Sequence, residues 1–415
     1  MMMSNAEQFE WHAHVSALIK KTPNLNVSAS GRETGVLSKE SLYAFTYDRS
    51  SARDQSLDIS IGMPFRTSSY ASGDLFGIFA MNEPEGYLRL YIEDAMSRAG
   101  IPNKLLFLAL SQGLQIGRVS YQHPDLNIDP PEYETLESLL KEKDASYFDK
   151  LLAKFALRSS LSGAQPKIIV PTENHDNRWK KTSLFTPSVI VKEAGHEYPG
   201  LSLNEYFCMS VARNAGLNAP QFWLSEDASR FIIERFDRDR NQDAVGFEDM
   251  TVLAGVTAAR KYQGSYEGVM KITQTYCQTR AALQSMFERI ALSALLKDGD
   301  AHLKNFGLVY KNPNSEISPS PIFDVVCTAI YPELDRGLAL KMNKSRVFPT
   351  PDDLALFAEK FGIERDLSMD MIGRIEDSID TTLEELSDDN RYVNDPNKTI
   401  SKIEKTLRPN GRNSI

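Results

Sequence analysis

Asp300 and Asn305 are separated by four residues, and Asp324 follows nineteen residues after Asn305, at the end of the apolar run Pro321-Ile322-Phe323. These residue types at this spacing suit phosphoryl transfer. The first Asp can accept a hydroxyl proton, while the Asn and the second Asp offer hard oxygens to Mg²⁺. Lys304 lies where its ammonium could neutralise charge developing on a transferring phosphoryl group. His302 could act as a ligand or base, with an orienting or packing role expected. Asp298 competes with Asp300 for the role of base, but it stands two residues too far from Asn305. Asp-x4-Asn alone also fits a capped polar loop before a strand; Asp324 tips the reading toward a site.

Such a site needs elements that hold a nucleotide. Ser159 to Lys167 reads Ser-Ser-Leu-Ser-Gly-Ala-Gln-Pro-Lys, and small residues around one Gly let backbone N–H groups approach phosphate oxygens. Gly163, Ala164, Gln165 and Lys167 are the candidate phosphate-side residues, although an ordinary turn into the next strand would look the same. Ser160 and Ser162 add exposed hydroxyls open to self-phosphorylation, and a phosphate there should repel those of a nucleotide. Lys192 closes the strand Val189-Ile190-Val191, where a kinase places the lysine that holds nucleotide phosphates. Glu205, on the following helix, is its nearest candidate partner. Glu234-Arg235-Phe236-Asp237-Arg238 follows a buried-looking strand and reads either as an adenine hinge, with Asp237 reaching ribose or a metal, or as a solvated strand end.

The chain of 415 residues is too long for one simple core, and its 41% apolar and 25% charged residues are ordinary for a soluble globular protein. A net charge of −9 argues against a broad nucleic-acid-gripping face. Cys208, Cys277 and Cys327 share no metal spacing and read as buried hydrophobes in a reducing, cytoplasmic setting. The start has no signal-peptide pattern, and no run approaches the ~18 apolar residues of a membrane span.

Short strands are expected over 35–37, 42–47 and 57–61, then helices over 84–99 and 105–114. A proline-rich linker at 123–132 precedes a helical stretch over 134–157. Strands at 167–170, 189–192 and 230–234 follow, with a helix over 203–215 closed by Gly216. A helix from Arg280 leads into the Asp300 loop. The division is an N-terminal module over 1–125, a strand-bearing lobe over 126–240, a helical lobe over 241–390 and a polar tail over 391–415 with a mobile end.

Together these pieces resemble the HipA family of serine/threonine-kinase toxins from bacterial toxin–antitoxin pairs, over most of residues 35–345. The family's Ser-x-x-Gly-Ala-Gln-x-Lys appears at Ser160 to Lys167, its Ile-x-Lys at Ile190 to Lys192, and its Asn-Glu-Tyr at Asn204 to Tyr206. Glu-Arg-Phe-Asp-Arg stands at 234–238, Asp-x-His-x-Lys-Asn-Phe at 300–306, and the metal Asp after an aromatic at Phe323-Asp324. The resemblance implies a two-lobed α+β protein-kinase-like fold with an N-terminal accessory subdomain, which includes Pro84-Glu85-Gly86. It implies ATP and Mg²⁺ as cofactors, Asp300 as catalytic base, Asn305 and Asp324 as metal ligands and Lys192 on the phosphates. Glu234 and Phe236 would hold adenine through backbone atoms, and Ser160 would be the inhibitory autophosphorylation position, with Ser162 a second serine beside it. The implied partners are a small helix-turn-helix antitoxin, DNA mainly through that antitoxin, and a translation-related substrate such as an aminoacyl-tRNA synthetase. A small-molecule phosphotransferase, or a non-toxic ATP-binding regulatory partner, stays open as the alternative.

Overall fold

The computed structural model describes residues 24–97, 100, 103–126, 132–161, 165–172, 188–195, 197–334, 337–389, 392 and 395–409. Ser162, Gly163 and Ala164 of the phosphate loop, residues 127–131 of the proline-rich linker, residues 1–23 and the end of the tail lie outside the described residues.

The N-terminal module begins with β1 (Asn24–Ala29), whose alternate residues Leu25, Val27 and Ala29 point inward. It turns into β2 (Arg32–Lys39) through Ser30 and Gly31, both at positive φ (48° and 76°). Two left-handed residues match the right-handed twist of a two-residue hairpin. With β3 (Tyr43–Tyr47), β4 (Tyr70–Ser72) and β5 (Val119–Gln122) they form an antiparallel sheet in the order β4-β3-β2-β1-β5. The strand expected over 57–61 is absent. Gln55–Leu57 is instead a single 3₁₀ turn capped by Asp54, and Ile59 donates its N–H to the Tyr47 hydroxyl. The Ser60 hydroxyl and the Ile61 N–H bond to the buried Glu248 carboxylate at 2.9 and 2.8 Å. With these polar groups satisfied by side chains, no ladder is needed.

The helix expected from Pro84 runs over Gly86–Ala95, and the next over Lys104–Leu110, started by the Asn103 side chain. The single helical stretch expected over 134–157 is two helices, Leu136–Lys141 and Tyr147–Phe155. The break has a physical cause: buried Arg230 donates to the carbonyls of Leu139 and Glu142, taking acceptors that a continuing helix would use.

The N-lobe sheet comprises β6 (Lys167–Pro171), β7 (Ser188–Glu193), β8 (Phe222–Leu224) and β9 (Arg230–Glu234), antiparallel in the order β6-β7-β9-β8. The helix Leu201–Asn214 is inserted between β7 and β8. It ends as expected at Gly216 (φ 70°), where Gly216 and Leu217 donate to the Arg213 and Ala212 carbonyls in a Schellman closure. The C-lobe is built from helices Tyr266–Cys277, Arg280–Leu295, Pro351–Glu359 and Arg365–Asp388, beside a small sheet of β10 (Gly246–Asp249), β11 (Gly307–Tyr310) and β12 (Ile317–Pro319).

Among the described residues, two hydrophobic cores stand out. Leu25, Phe45 and Phe79 of the N-terminal module share one with Ile168, Val191 and Ile232 of the N-lobe sheet, so packing is continuous across the boundary expected at 125. The other joins the helix Leu201–Asn214 to the C-lobe helices. Part of the expected polar tail belongs to that second core: Thr399–Leu407 is a helix that buries Ile400, Ile403 and Leu407. Its first residue lies so close to Gly200 (φ 77°) that a β-carbon there would sit 2.1 Å from the Thr399 hydroxyl. No described helix is long and apolar enough to cross a membrane.

Candidate active site

Strand alternation creates the first half of the site. Val189 and Val191 of β7 enter the core, while Ile190 and Lys192 face a cleft of about 480 Å³ between the lobes. Lys192 Nζ lies 2.5 Å from Glu205 Oε1 and 2.7 Å from Asp324 Oδ1. The partner left open in the sequence is therefore made, because the helix Leu201–Asn214 lays Glu205 behind the strand. Register brings a second cation: Lys167 of β6 is paired directly with Lys192 of β7, and its Nζ is 3.8 Å from Asp324 Oδ2. Burial works against charge on both Lys192 and Asp324. Asp324 and Glu205 nevertheless hold the Lys192 ammonium above its ordinary range, and Lys167 and Lys192 hold the Asp324 carboxyl well below its own.

Asp324 does not end a strand, as its apolar lead-in suggested. It occupies a left-handed conformation (φ 56°) in an irregular segment. Arg289 donates to the Phe323 carbonyl at 2.9 Å, Asn305 Nδ2 donates to the Asp324 carbonyl at 3.1 Å, and Asn204 clamps both the N–H and the carbonyl of Cys327. A non-glycine residue held at positive φ by neighbours on both sides is a common mark of a functional position.

The helix Arg280–Leu295 supplies the second half. It closes through Lys297 at φ 53° and delivers the loop from Asp298 to Asn305. Asp298 is fully buried and accepts the Asp300 N–H at 3.0 Å, so it braces the loop and leaves the open position to Asp300. Burial raises the Asp300 pKa, with Tyr262, whose hydroxyl donates to Oδ1 at 2.6 Å, pulling it down and Asp324 pushing it up. Burial, with Lys261 behind it, drops His302 to about 3, so the imidazole is neutral. Its edge contact with the Tyr262 ring fits the expected packing role. Asn305 Oδ1 is buried without a hydrogen-bond partner in this structure and sits beside the Asp324 backbone. An orphaned amide oxygen next to a carboxylate is a fitting donor pair for a hard cation such as Mg²⁺.

The cleft gathers Ser160, Gln165, Lys167, Lys192, Glu234, Phe236, Asp300, His302, Lys304, Asn305 and Asp324 along its walls. The Phe236 ring packs on Phe323 and Phe247, with centroids 5.1 and 5.2 Å apart, making an aromatic floor at the hinge end. Gln165 donates to the Glu193 carbonyl at 3.3 Å, tying the far end of the phosphate loop to β7.

Two expectations need correction. The Asp237 carboxylate does not face a ribose or metal. It accepts from Arg235 Nε and Nη2 (2.9 and 2.6 Å), Arg238 Nη1 (2.9 Å) and the Gly117 N–H (2.7 Å), a buried knot joining hinge to N-terminal module. Ser160 is buried rather than exposed, and its hydroxyl donates to Asn82 Oδ1 at 3.0 Å. Lys304 keeps its expected place on the cleft wall, with its Nζ 2.9 Å from Glu85. Tyr262, Asn82 and Glu85 are the site residues that motif spacing could not supply. Only Glu85 carried a sequence signal, as part of Pro84-Glu85-Gly86.

Residues 25–122 match the HipA N-terminal domain family and residues 159–383 the HipA-like C-terminal domain family. Y4dM of Sinorhizobium fredii, a candidate kinase by its name, is 28% identical over 317 residues, covering 69% of this chain and 71% of that protein. A candidate kinase of Haemophilus influenzae is 30% identical over 200 residues, 44% of this chain and 57% of its own length. Among solved structures, HipA in the Shewanella oneidensis MR-1 complex of HipA, HipB and operator DNA superposes with a TM-score of 0.66 at 16% identity, covering 93% of this chain and 99% of that one. At that identity the likeness carries the fold alone, and the fold is a two-lobed kinase-like one. With more than half of its length matched by the C-terminal family and most of the remainder by the N-terminal one, this chain belongs to the HipA kinase family.

Proposed function

We propose that the protein is an ATP- and Mg²⁺-dependent serine/threonine kinase, the toxin of a bacterial toxin–antitoxin pair. The observation that carries the reading is the bridge of Lys192 between Glu205 and Asp324, across a cleft from an open Asp300. This arrangement suits a kinase that holds its phosphate lysine in place before substrate arrives. Asp300, exposed to the cleft and with a raised pKa, accepts the proton of the acceptor hydroxyl. Asn305 and Asp324 would hold Mg²⁺, which supplies charge neutralisation at the phosphates when bound. Gln165, Lys167 and Lys192 face the phosphates, Lys304 steadies the negative charge of the transferring group, and Glu234 and Phe236 present hinge backbone to adenine.

Self-inhibition follows from the burial of Ser160. Its hydroxyl is buried and bonded to Asn82, so a dianion there would break that contact and draw the start of the phosphate loop toward water. The partner in this reading is a small HipB-like helix-turn-helix antitoxin that contacts DNA, and the target a translation-related protein such as an aminoacyl-tRNA synthetase.

The test uses purified protein, radiolabelled ATP and Mg²⁺, with and without a cell extract, followed by phosphosite mapping. Label on Ser160, Ser162 or an extract protein that is lost in Asp300→Asn is the expected result. No label on any protein overturns the kinase reading, and label confined to small molecules assigns the site to small-molecule phosphotransfer.

A further inference from the structure

The turn 82–85 of the N-terminal module touches both sides of the cleft. Asn82 Oδ1 accepts the Ser160 hydroxyl at 3.0 Å and the Ile116 N–H at 2.7 Å, while its Nδ2 donates to the Ile116 carbonyl and the Tyr121 hydroxyl. This buried amide is held on all sides and fixes where the phosphate loop begins. Three residues on, the Glu85 N–H donates to the Leu161 carbonyl at 3.2 Å. The Glu85 carboxylate crosses to the other lobe and meets Lys304 Nζ at 2.9 Å, with the lysine side chain only 8% exposed. One short turn thus binds the start of the phosphate loop through its backbone and the catalytic-loop lysine through its charge. Lys304 lines the cleft between Asp300 and Asn305 in a mobile-stemmed side chain, which needs an anchor to hold one position.

We propose that Glu85 is a positioning residue of the phosphotransfer site, fixing the Lys304 ammonium and tying its placement to Leu161 at the start of the phosphate loop. The inference rests on the kinase reading for the role of Lys304, but the strap itself is a matter of contacts. A carboxylate that only stabilised the fold would act independently of Lys304; one that works through it would not.

The experiment is a double-mutant cycle on the full chain with Glu85→Gln, Lys304→Met and both together, reading kcat and KM for ATP, with hydrogen exchange over 159–161 and 302–305. Glu85→Gln is expected to lower kcat about tenfold with KM for ATP within about twofold, since misplacing one charge costs rate rather than nucleotide binding. The double variant should be no slower than Lys304→Met alone, Glu85→Asp should recover part of the loss, and exchange should quicken in both segments. Additive losses, or an unchanged kcat in Glu85→Gln, overturn the proposal. If the wild type transfers no phosphate, the kinase reading fails, and exchange decides the strap separately: acceleration in both segments upholds the tie between the loops, and unchanged exchange overturns it.

Discussion

Two ion clusters border the same cleft and look alike on paper. Lys192, Glu205 and Asp324 form one; Arg235, Asp237 and Arg238 form the other. Both place one aspartate against two cationic side chains, counting Lys167 in the first. They differ in how completely the aspartate is used. Asp237 is 4% exposed and takes four donors, from two arginines and a backbone N–H 120 residues away. Asp324 remains 32% exposed, takes one close donor, and has its second oxygen 3.8 Å from the nearest cation. A saturated cluster can only hold parts together, whereas an unsaturated one open to a cleft can still bind something. That difference separates a structural knot from a candidate reactive centre better than the charges do.

The contrast can be broken most severely at Asp324. Asp324→Asn should reduce phosphate transfer by roughly 10⁴-fold, about 5.4 kcal/mol in the barrier, while leaving the unfolding midpoint within a few degrees. Turnover assays beside thermal melts check both halves; a large drop in melting temperature would erase the distinction. The complementary change, Asp237→Asn, should destabilise the protein by about 3–5 kcal/mol, because two arginines are left buried without their counter-charge. Denaturant unfolding measures this, and the surviving folded fraction should still bind nucleotide.

Acid gives a gentler probe of the same knot. The arginines hold the buried Asp237 carboxyl at about 2, against an ordinary value of 3.8. A depressed folded pKa means the unfolded chain binds more protons between those values, so this contribution is complete above pH ~4 and is lost as pH falls toward ~2. Asp237→Asn should therefore show a shallower loss of stability across that window than the wild type.

The smallest effect is expected at Tyr262. Its hydrogen bond favours ionised Asp300, so Tyr262→Phe should raise the Asp300 pKa and move the acid limb of the kcat profile to higher pH. A loss of about threefold to tenfold at neutral pH is expected, with little change in stability. A profile that stays in place would remove Tyr262 from the description of the site.

Much of this site was legible beforehand. The order Ser160, Lys192, Glu234, Asp300, Asn305, Asp324 follows the sequence, and β7 and β9 announce themselves by β-branched runs bounded by turns. What misled was local pattern without its neighbours. Residues 57–61 alternate like a strand but find Glu248 instead of a ladder, and Leu136 to Phe155 keep helical character across a break that Arg230 imposes from elsewhere in the chain. The tail reads as polar because the apolar residues of its helix, Ile400, Ile403 and Leu407, are only a single stripe.

Sequence by itself determined which chemical groups exist and the order in which they arrive: a candidate base, an amide oxygen, two carboxylates and their lysines, at spacings set by strand and loop. Only the tertiary structure decided which carboxylate stays open, that Ser160 is covered, and that Lys304 answers to Glu85 across 219 residues of chain. The reason is physical. Residue type and period act over a few residues, whereas desolvation and saturation of a charged group depend on whatever the fold packs against it.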